Sequence, residues 1–540
     1  ALVQDLGKTG SNYAAAVLWR QLVTEKVPEL RAGILLQLHN LPLAASTPVQ
    51  VAPLLAAGDP RERRAAVRLY AELADADWRL LLDRAEADHD QAVRRIAAQG
   101  LIPLGDDLQW EDLAALREVE DRGIRAAAWQ ASCHAADAPE FADLLRVAAR
   151  DVDPYIRTAV ATVANALPPE LAVGLCTNLA KDAHPTVRTL AAARAGERPA
   201  EELLAVLLTL AEDEDAEVRR QAVASLVAYP VAAAAEMILK HFADPSPFAR
   251  AAGEESAVAM HPRFNLIDGA TTALKHADPN ARFRAYHVLG RLKAGDRNQE
   301  IAEALGQELL PTNLAAGLIA LFQVGNKGFP ALIIGLAGHD DENVRAAAAM
   351  ALSHIHEPAA LAMVGKLIDD PRLVVGNEAI LAAGRLGDPS FGPALLRVLK
   401  DTGMTAHFSS RERSSACWSV ARIEPLDKAT AQRLVAQATT PVIQTPMGPI
   451  FEPDYVLVNA CHALVAGALR DAAVRPLAEA VIAKHAQPVD RRELIGPGTL
   501  VPTPELTEYA RQAAAYLNGE AAVPGLRPTR SMRLVYRPLK

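Results

Sequence analysis

Aromatic residues are scarce in this sequence. Basic residues are also not in excess over acidic ones, as they are in typical nucleic-acid-binding proteins. Phe, Trp and Tyr make up 4% of the 540 residues, and the formal net charge is −9. A protein that wraps nucleic acid gains most of its affinity by neutralising phosphates with Lys and Arg. Trp110, Trp129 and Trp418 are among the few aromatics, and they are scattered along the chain. The composition therefore counts against nucleic acid as a partner.

Cysteine is equally rare, and none of its copies has the spacing of a redox or zinc motif. The four cysteines are Cys133, Cys176, Cys417 and Cys461. Each lies in an Ala-rich apolar stretch, where a free Cys behaves as a small core residue. In Cys461-His462 the thiol and imidazole are adjacent, but neighbours on a helix point about 100° apart and do not readily share a proton.

The chain also lacks a Gly-rich phosphate loop, an H-E-x-x-H helix and a G-x-S-x-G elbow. The best metal-like string is His354-Ile-His356, which we interpret as an ordinary polar turn. We therefore expect no catalytic residues, no cofactor and no metal. The sequence favours a protein that is not an enzyme.

Long apolar runs are missing as well. The stretch from Leu314 to Leu336 comes closest to the roughly 18 residues that a membrane span needs, but Gln323, Asn326 and Lys327 interrupt it. No basic and apolar leader precedes the first repeat, although the start at Ala1 leaves open a longer leader that was cleaved. We expect no membrane span and a cytoplasmic protein.

What the chain does have is an internal repeat. A turn containing Asp is followed four residues later by Arg, and then by small and apolar residues at helical spacing. The aligned positions are Arg31, Arg63, Arg94, Arg125, Arg157, Arg188, Arg219, Arg250, Arg282, Leu314, Arg345, Gly376, Arg413, Leu457 and Ala510. Successive positions differ by 31 or 32 residues as far as Gly376, and then by 37, 44 and 53.

Each repeat is predicted to be a pair of helices, A and B, joined by the Asp turn. Asp153 and Asp215 stand four residues before the Arg position, where a carboxylate can cap the free N–H groups of helix B. Pro154 follows directly, at a position where a missing N–H costs nothing. Neither helix can bury its apolar face alone, so the core must come from stacking on neighbouring repeats.

This pattern resembles the HEAT repeats of the armadillo-like superfamily, in particular the short HEAT-like repeats of phycobilin lyase subunits. The resemblance covers the chain from about Asn12 to Asn518. It implies an all-α fold, a right-handed α–α superhelical solenoid of about fifteen helical hairpins. It also implies that the B helices line a concave surface and that the Arg residues bond carboxylates of neighbouring turns as a ladder. At Leu314, Gly376, Leu457 and Ala510 the Arg is missing, so we expect breaks there.

The growing spacings indicate three regions: regular repeats over 1–390, repeats with long inter-helix turns over 391–518, and a basic extended tail over 519–540. In each of the last three repeats, helix A ends normally and the extra chain precedes helix B. The long turns run approximately over 401–412, 439–454 and 487–505.

The second and third long turns combine Pro and Gly with apolar residues, unlike a flexible linker. Because all three occupy the same turn of consecutive repeats, we expect them to emerge side by side and to form a platform that binds a partner. The predicted partner-binding residues are Ile443, Met447, Ile450, Phe451, Leu494, Ile495, Leu500 and Val501. The alternative is that these turns fold back and cap the end of the solenoid.

We therefore predict a protein-binding scaffold or structural subunit of a larger assembly, with a protein as partner. One alternative is a lyase-type enzyme that holds a tetrapyrrole or similar ligand in the concave groove, which absorbance of the purified protein would reveal. A second alternative is a nucleic-acid-binding HEAT protein, which would need a basic groove. The basic tail over 519–540 lies along its own solenoid or reaches a second subunit, so a homo-oligomer is left open.

Overall fold

The structure is a computed structural model. It describes residues 2–8, 11–41, 43, 47–73, 75–132, 139–164, 167–401, 407–423, 428–439, 442–445, 448–451, 454–486 and 504–518. The chain divides into two compact units, Ala1–Ile238 with Phe248–Ser256 and Leu239–Pro247 with Ala257–Lys540.

All regular secondary structure among the described residues of the first unit is helical. Its α-helices are α1 (Leu2–Gly7), α2 (Asn12–Thr24), α3 (Pro28–Leu38), α4 (Thr47–Val51), α5 (Pro60–Tyr70), α6 (Trp78–Ala87), α7 (Gln91–Gly100), α8 (Ala114–Arg117), α9 (Arg122–Ser132), α10 (Pro139–Ala148), α11 (Pro154–Thr162), α12 (Pro169–Leu179), α13 (Pro185–Glu197), α14 (Glu201–Leu210) and α15 (Ala216–Ser225). Short 3₁₀ helices lie at Ala52–Ala56, Ile102–Asp107, Trp110–Leu113 and Leu226–Ala228. Two further helices, α16 (Ala232–Lys240) and α17 (Pro247–Met260), include the residues at which the division falls.

The second unit continues the same alternation and adds one strand pair. Its elements are α18 (Ile267–Ala273), α19 (Pro279–Arg291), α20 (Asn298–Gly306), α21 (Pro311–Gln323), α22 (Pro330–Leu336), α23 (Glu342–Leu352), α24 (Pro358–Leu367), α25 (Leu373–Leu386), α26 (Gly392–Lys400), α27 (Ser410–Val420), α28 (Lys428–Thr439), β1 (Val442–Thr445), β2 (Gly448–Phe451), α29 (Asp454–Arg470), α30 (Arg475–Ala486) and α31 (Pro504–Leu517). Short 3₁₀ helices lie at His241–Ala243, Gly295–Arg297 and Pro389–Phe391.

In the part of the chain that the structure describes, the helices from α2 onward form fifteen successive A–B pairs, with even-numbered helices as A and odd-numbered helices as B. Within each unit, consecutive B helices pack on one another, as α13 does on α15 and α25 on α27. The predicted all-α solenoid of about fifteen hairpins is confirmed. Among the described helices, none has both the length and the apolar character that crossing a bilayer requires.

Small residues allow the B helices to approach closely. A Cβ on Gly384 of α25 would stand 2.7 Å from the Ser419 Cα of α27, closer than real Cβ atoms come. In the first unit, Gly196 of α13 meets Ser225 of α15 in the same way, with 2.9 Å to the Ser225 Cα. The scarcity of aromatics follows from this geometry, because large rings do not fit where helix backbones touch.

The predicted caps are present. Asp153 accepts a hydrogen bond from the Tyr155 N–H at 2.9 Å, and Asp215 accepts from the N–H groups of Glu217 and Val218 at 2.9 and 3.1 Å. The same arrangement occurs at Asp59, Asp90, Asp121, Asp278 and Asp341. A local rule of helix chemistry thus defines the start of most regular B helices.

An Arg ladder joins the regular turns, and it uses a second acidic position that the sequence analysis had not singled out. Arg188 donates from Nε and Nη2 to both oxygens of Asp213, at 2.7 Å each, and from Nη1 to the Asp182 carbonyl of its own turn at 2.8 Å. The same two-pronged contact, at 2.6–3.1 Å, occurs at Arg63–Asp88, Arg157–Asp182, Arg282–Glu308 and Arg345–Asp370. Each acceptor precedes the next Arg position by six residues.

The ladder has exceptions beyond those we expected. At Arg94 the prediction was wrong, because the neighbouring Arg95 reaches Asp121 instead, at 2.8 Å. Where Leu314 replaces Arg, the neighbouring Asn313 donates within its own turn to Glu308 at 3.0 Å, which already accepts from Arg282, and so does not extend the ladder to the next turn. An Arg at the repeat position is therefore not enough to predict which residue binds the neighbouring turn, because the next residue along the helix can do so instead.

The long turns begin and end close to the predicted positions, because α26, α28 and α30 end at Lys400, Thr439 and Ala486. The second long turn contains an antiparallel hairpin that we had not predicted, with Ile443 in register with Ile450 and Gln444 with Pro449. Proline is compatible with a strand only at a sheet edge, and both strands of a two-stranded sheet are edges.

Candidate functional site

The three long turns leave from neighbouring places in the second unit. Helix α28 packs against both α26 and α30, so the ends of these three A helices lie next to one another. Side chains also tie these ends together. Arg433 donates from Nε to the Leu399 carbonyl at 2.8 Å, and His485 Nε2 lies 2.9 Å from the Ala438 carbonyl. The two contacts fix the adjacent points from which the long turns start.

The predicted partner-binding residues are only partly within the described chain. Ile443 lies in β1, and Ile450 and Phe451 lie in β2, where the backbone pairs Ile443 with Ile450 and Val442 with Phe451. The other five lie outside the described residues, namely Met447, Leu494, Ile495, Leu500 and Val501. The structure thus brings three of the eight into one hairpin.

The described part of the first long turn folds back on the helices instead. Phe408 is 5% exposed, and its N–H donates to Asp401 at 2.8 Å. Arg413 closes this turn by donating to the carbonyls of Phe408 and Asp401, at 2.8 and 3.2 Å. Ser409 caps α27 together with Glu412. Over residues 407–413 the chain therefore covers the repeat, as the capping alternative expects.

A second cluster, which was not predicted from the sequence, lies near the C-terminal ends of the B helices, away from the long turns. We call it the arginine–aromatic row, and it comprises Phe322, His354, Arg385, Trp418, Arg422 and Arg470. The Arg422 guanidinium stacks on Trp418, with 3.6 Å to the ring centroid, and that of Arg385 lies 4.9 Å from the Phe322 centroid. His354 stacks on Phe322 with 5.2 Å between ring centroids.

The close contact of Gly384 with Ser419 places Arg385 of α25 beside the end of α27, where Trp418 and Arg422 lie. Among the described residues, neither Arg385 nor Arg422 has a carboxylate within 4 Å. Burial lowers the pKa of Arg385, and the nearby Glu378 only partly offsets this effect. For Arg422, burial and the positive charges of Arg470 and Arg385 all lower the pKa. The row therefore concentrates positive charge in poorly hydrated surroundings.

Glu378 lies in the core beside this row. Its carboxyl is 0% exposed, and neither of its oxygens accepts a well-formed hydrogen bond. Burial raises its pKa to about 7, and Arg385, Asn377 and Arg411 offset only part of that rise. A substantial fraction of Glu378 is therefore neutral near pH 7, and it does not neutralise Arg385 fully.

The pairs Cys461–His462 and His354–His356 are poorly placed for chemistry. Burial raises the pKa of the Cys461 thiol to about 12 and, together with Arg422, lowers that of His462 to about 4. A thiol held protonated in this way is a poor nucleophile. His356 Nε2 lies 3.2 Å from the Leu386 carbonyl while His354 stacks on Phe322, so the pair does not converge on a metal. In the part of the chain that the structure describes, no group of three His, Cys, Asp or Glu residues could hold a metal ion.

Comparison with known proteins agrees with this architecture. A family model of HEAT repeats matches residues 172–257 and 329–407. The crystal structure of Kap121p bound to Ste12p aligns with a TM-score of 0.52 and 12% identity, covering 89% of this chain and 64% of that one. Kap121p alone aligns with a TM-score of 0.49 and 15% identity, over 88% and 53% of the two chains.

The chain thus spans between half and two thirds of the length of these solved structures, and identities this low speak for the fold alone. No curated protein matches the sequence. The repeat pattern, the stacked A and B helices and the family match agree with one another. Residues 172–257 and 329–407 are thus HEAT repeats, and the other hairpins of the described chain share their arrangement of A and B helices.

Proposed function

We propose that this chain is a protein-binding scaffold or structural subunit of a larger assembly, without catalytic activity of its own. Its partner surface is the platform formed by the long turns over 401–412, 439–454 and 487–505. The observation that carries this proposal is the junction of α26, α28 and α30. The ends of the three helices are fixed to one another by Arg433 and His485, so the long turns start from adjacent points on a rigid base. Preorganisation of this kind lowers the entropy lost on docking.

The hairpin β1–β2 supports the same assignment. Among the described residues its strands pair only with each other, which leaves each strand with one free backbone edge. Free strand edges and rigid turns are common elements of protein recognition. Kap121p, which has the same kind of fold, is crystallised with the protein Ste12p. The first long turn contributes less, because its described part packs on α27.

The boundaries that we assign follow from this proposal. Residues 1–390 supply regular repeats, residues 391–518 carry the platform, and the basic residues over 519–540 engage the body of the chain or a second subunit. A cytoplasmic protein partner is the simplest expectation for such a scaffold.

The test starts from a partner captured by affinity purification from the native source, whose binding is then measured with purified proteins. Phe451→Ala, or replacement of 439–454 by a regular Asp-Pro turn, should weaken binding at least about tenfold and leave the melting temperature nearly unchanged, because a central anchor contributes roughly 2 kcal/mol or more.

The matched control is Val152→Ala, which removes a 97% exposed apolar side chain from a regular turn. This control should leave both binding and melting unchanged. A loss of stability without a loss of binding in the 439–454 variants would establish capping as the role of the long turns and would overturn the proposal.

A further inference from the structure

We propose that the arginine–aromatic row is a second binding site, which takes carboxylate groups presented by an acidic, extended segment of a protein partner. This site lies at the ends of the B helices away from the long turns, and it does not depend on the platform. Its main contact groups are Arg385, Arg422 and Arg470.

The row has more hydrogen-bond donors than the fold uses. A basic residue at a helix C-terminus commonly binds the last carbonyls and complements the helix dipole. Arg422 does so by donating to the Trp418 carbonyl at 3.0 Å, and Arg470 donates to the Ala421 carbonyl at 3.0 Å. This role does not account for Arg385, whose Nη1 is buried without an acceptor. The indole N–H of Trp418 is likewise buried and unpaired.

Unpaired buried donors beside positive charges that have no carboxylate partner cost stability. An incoming carboxylate would compensate the positive charges of Arg385 and Arg422. A guanidinium offers two parallel N–H groups to the two carboxylate oxygens, and this pairing is among the stronger hydrogen-bonded contacts in proteins. Stacking on Phe322 and Trp418 restricts the planes of the two guanidinium groups, so less order is lost when the carboxylate binds.

The charge of the whole chain favours a short acidic segment over nucleic acid. The net charge of −9 repels an extended polyanion, whereas a few carboxylates need only the local positive row. Phe322 is half-buried, so part of its ring remains available to an apolar residue of the same segment.

The spacing of the row specifies the segment further. Arg385, Arg422 and Arg470 belong to three consecutive repeats, and packed helices lie about 8–10 Å apart. A chain in the polyproline II conformation has three residues per turn and rises about 3.1 Å per residue, so every third side chain lies on one face about 9 Å from the last. The geometry therefore points to acidic residues at every third position.

The experiment measures fluorescence anisotropy of labelled peptides with the full chain. The probe is (Glu-Pro-Pro)4, and its controls are (Gln-Pro-Pro)4 and a peptide of identical composition with the four Glu residues adjacent. We expect the spaced Glu peptide to bind at least about tenfold more tightly than either control. Equal binding of the three peptides, or no binding of the first, would overturn the proposal, as would tighter binding of a 12-nucleotide oligothymidylate.

Variants locate the site. Arg385→Gln with Arg422→Gln should weaken binding of the spaced peptide at least about tenfold, and Arg470→Gln, which changes an exposed side chain and carries little risk to folding, at least about threefold. Arg20→Gln removes the same charge from an exposed position outside the row and should have no effect. Unchanged binding in the Arg470 variant would refute the site, and a loss in the Arg20 variant as large as that in the Arg385/Arg422 variant would show a general charge effect and refute it as well. Phe451→Ala should leave peptide binding intact, which separates this test from that of the platform.

Discussion

The regular repeats and the last repeats hold their B helices together by different chemistry. In the regular repeats, ion pairs at the A-to-B turns join one repeat to the next, as in the Arg188–Asp213 and Arg345–Asp370 pairs. From α25 onward, hydrogen bonds between uncharged side chains inside the stack of B helices join the repeats. Ser415 donates to Asn377 at 2.8 Å, and Asn459 donates to Ser414 at 2.7 Å, with all four side chains nearly or completely buried.

The difference follows from the length of the turns. A ladder Arg reaches a carboxylate whose position depends on the short turn of the next repeat, and a longer turn moves that position away. Gly376 replaces the Arg where α25 comes so close to the preceding turn that a Cβ would lie 3.1 Å from the Ile368 carbonyl oxygen. Once hydrogen bonds between B helices maintain the stack, the A-to-B turns are no longer needed for it. They can then lengthen without loss of stability, and the long turns of this chain do so.

The largest loss of stability should come from removing an ion pair of the Arg ladder. Asp213→Ala removes the bidentate partner of Arg188, whose side chain is 8% exposed, and leaves this guanidinium only the exposed Glu214 at 3.7 Å. We expect the free energy of unfolding to fall by about 4 kcal/mol, as measured by denaturant titration. Asp340→Ala, at an exposed side chain of another regular turn, is the control and should change it by less than about 0.5 kcal/mol. Similar losses of unfolding free energy in the two variants would mean that the ladder does not stabilise the packing of neighbouring repeats.

A pH series on Glu378 tests the neutral interior of the last repeats. Its pKa in the folded protein, about 7, lies above the ordinary value of 4.5, so its stabilising contribution is fully present below about pH 4.5 and is lost as the pH rises toward 7. Glu378→Gln should therefore match the wild type near pH 4.5 and exceed its stability at pH 8 by about 3 kcal/mol. A difference that does not vary with pH would show that Glu378 has an ordinary pKa.

Removing a hydrogen bond between B helices should lower the free energy of unfolding less than removing an ion pair of the ladder. Asn459→Ala leaves the buried Ser414 hydroxyl without its donor, and we expect a loss of about 2 kcal/mol in unfolding free energy. Because the stability of repeat arrays is mostly nearest-neighbour, hydrogen exchange should accelerate in α27 and α29 and not in α13 or α15. Gln432→Ala, at an exposed amide of α28, serves as the control. Faster exchange throughout the chain would contradict a local fastening.

The smallest effect should come from the caps. Asp153→Ala removes the hydrogen bond to the Tyr155 N–H and should cost about 1 kcal/mol, with partner binding unaffected. Loss of binding at unchanged stability would place a functional surface on the regular turns and remove the contrast between the two regions.

The fold was predictable from sequence because its rules are local. The Asp caps, the Pro residues after them and the spacing of 31 or 32 residues depend on neighbours within one repeat, and each could be assigned without coordinates. The ends of α26, α28 and α30 followed from the same spacing. The hairpin β1–β2 was missed because Pro449 and the flanking Pro and Gly residues resemble a plain turn, and the edge position that tolerates Pro449 depends on a partner strand.

The contacts that depend on other repeats were not predictable in the same way. Asp213 and Asp182 were visible in the sequence, but their role as ladder acceptors arises only when two turns meet. Arg385 and Arg422 each lie nine residues after their repeat positions, Gly376 and Arg413. They come together with Trp418 because Gly384 and Ser419 allow close packing of α25 and α27. The sequence signals were this shared position in the repeat and the separation of four residues between Trp418 and Arg422, which places these two on one helix face.

Hydrogen exchange on the complex with the captured protein partner tests the central claim most directly, namely that the long turns serve binding while the regular turns serve stability. Partner binding should protect amides within 439–454 and 487–505 and leave the regular turns at 57–59, 151–153 and 213–215 unchanged. Protection confined to the regular turns, with none in the two long ones, would contradict the claim.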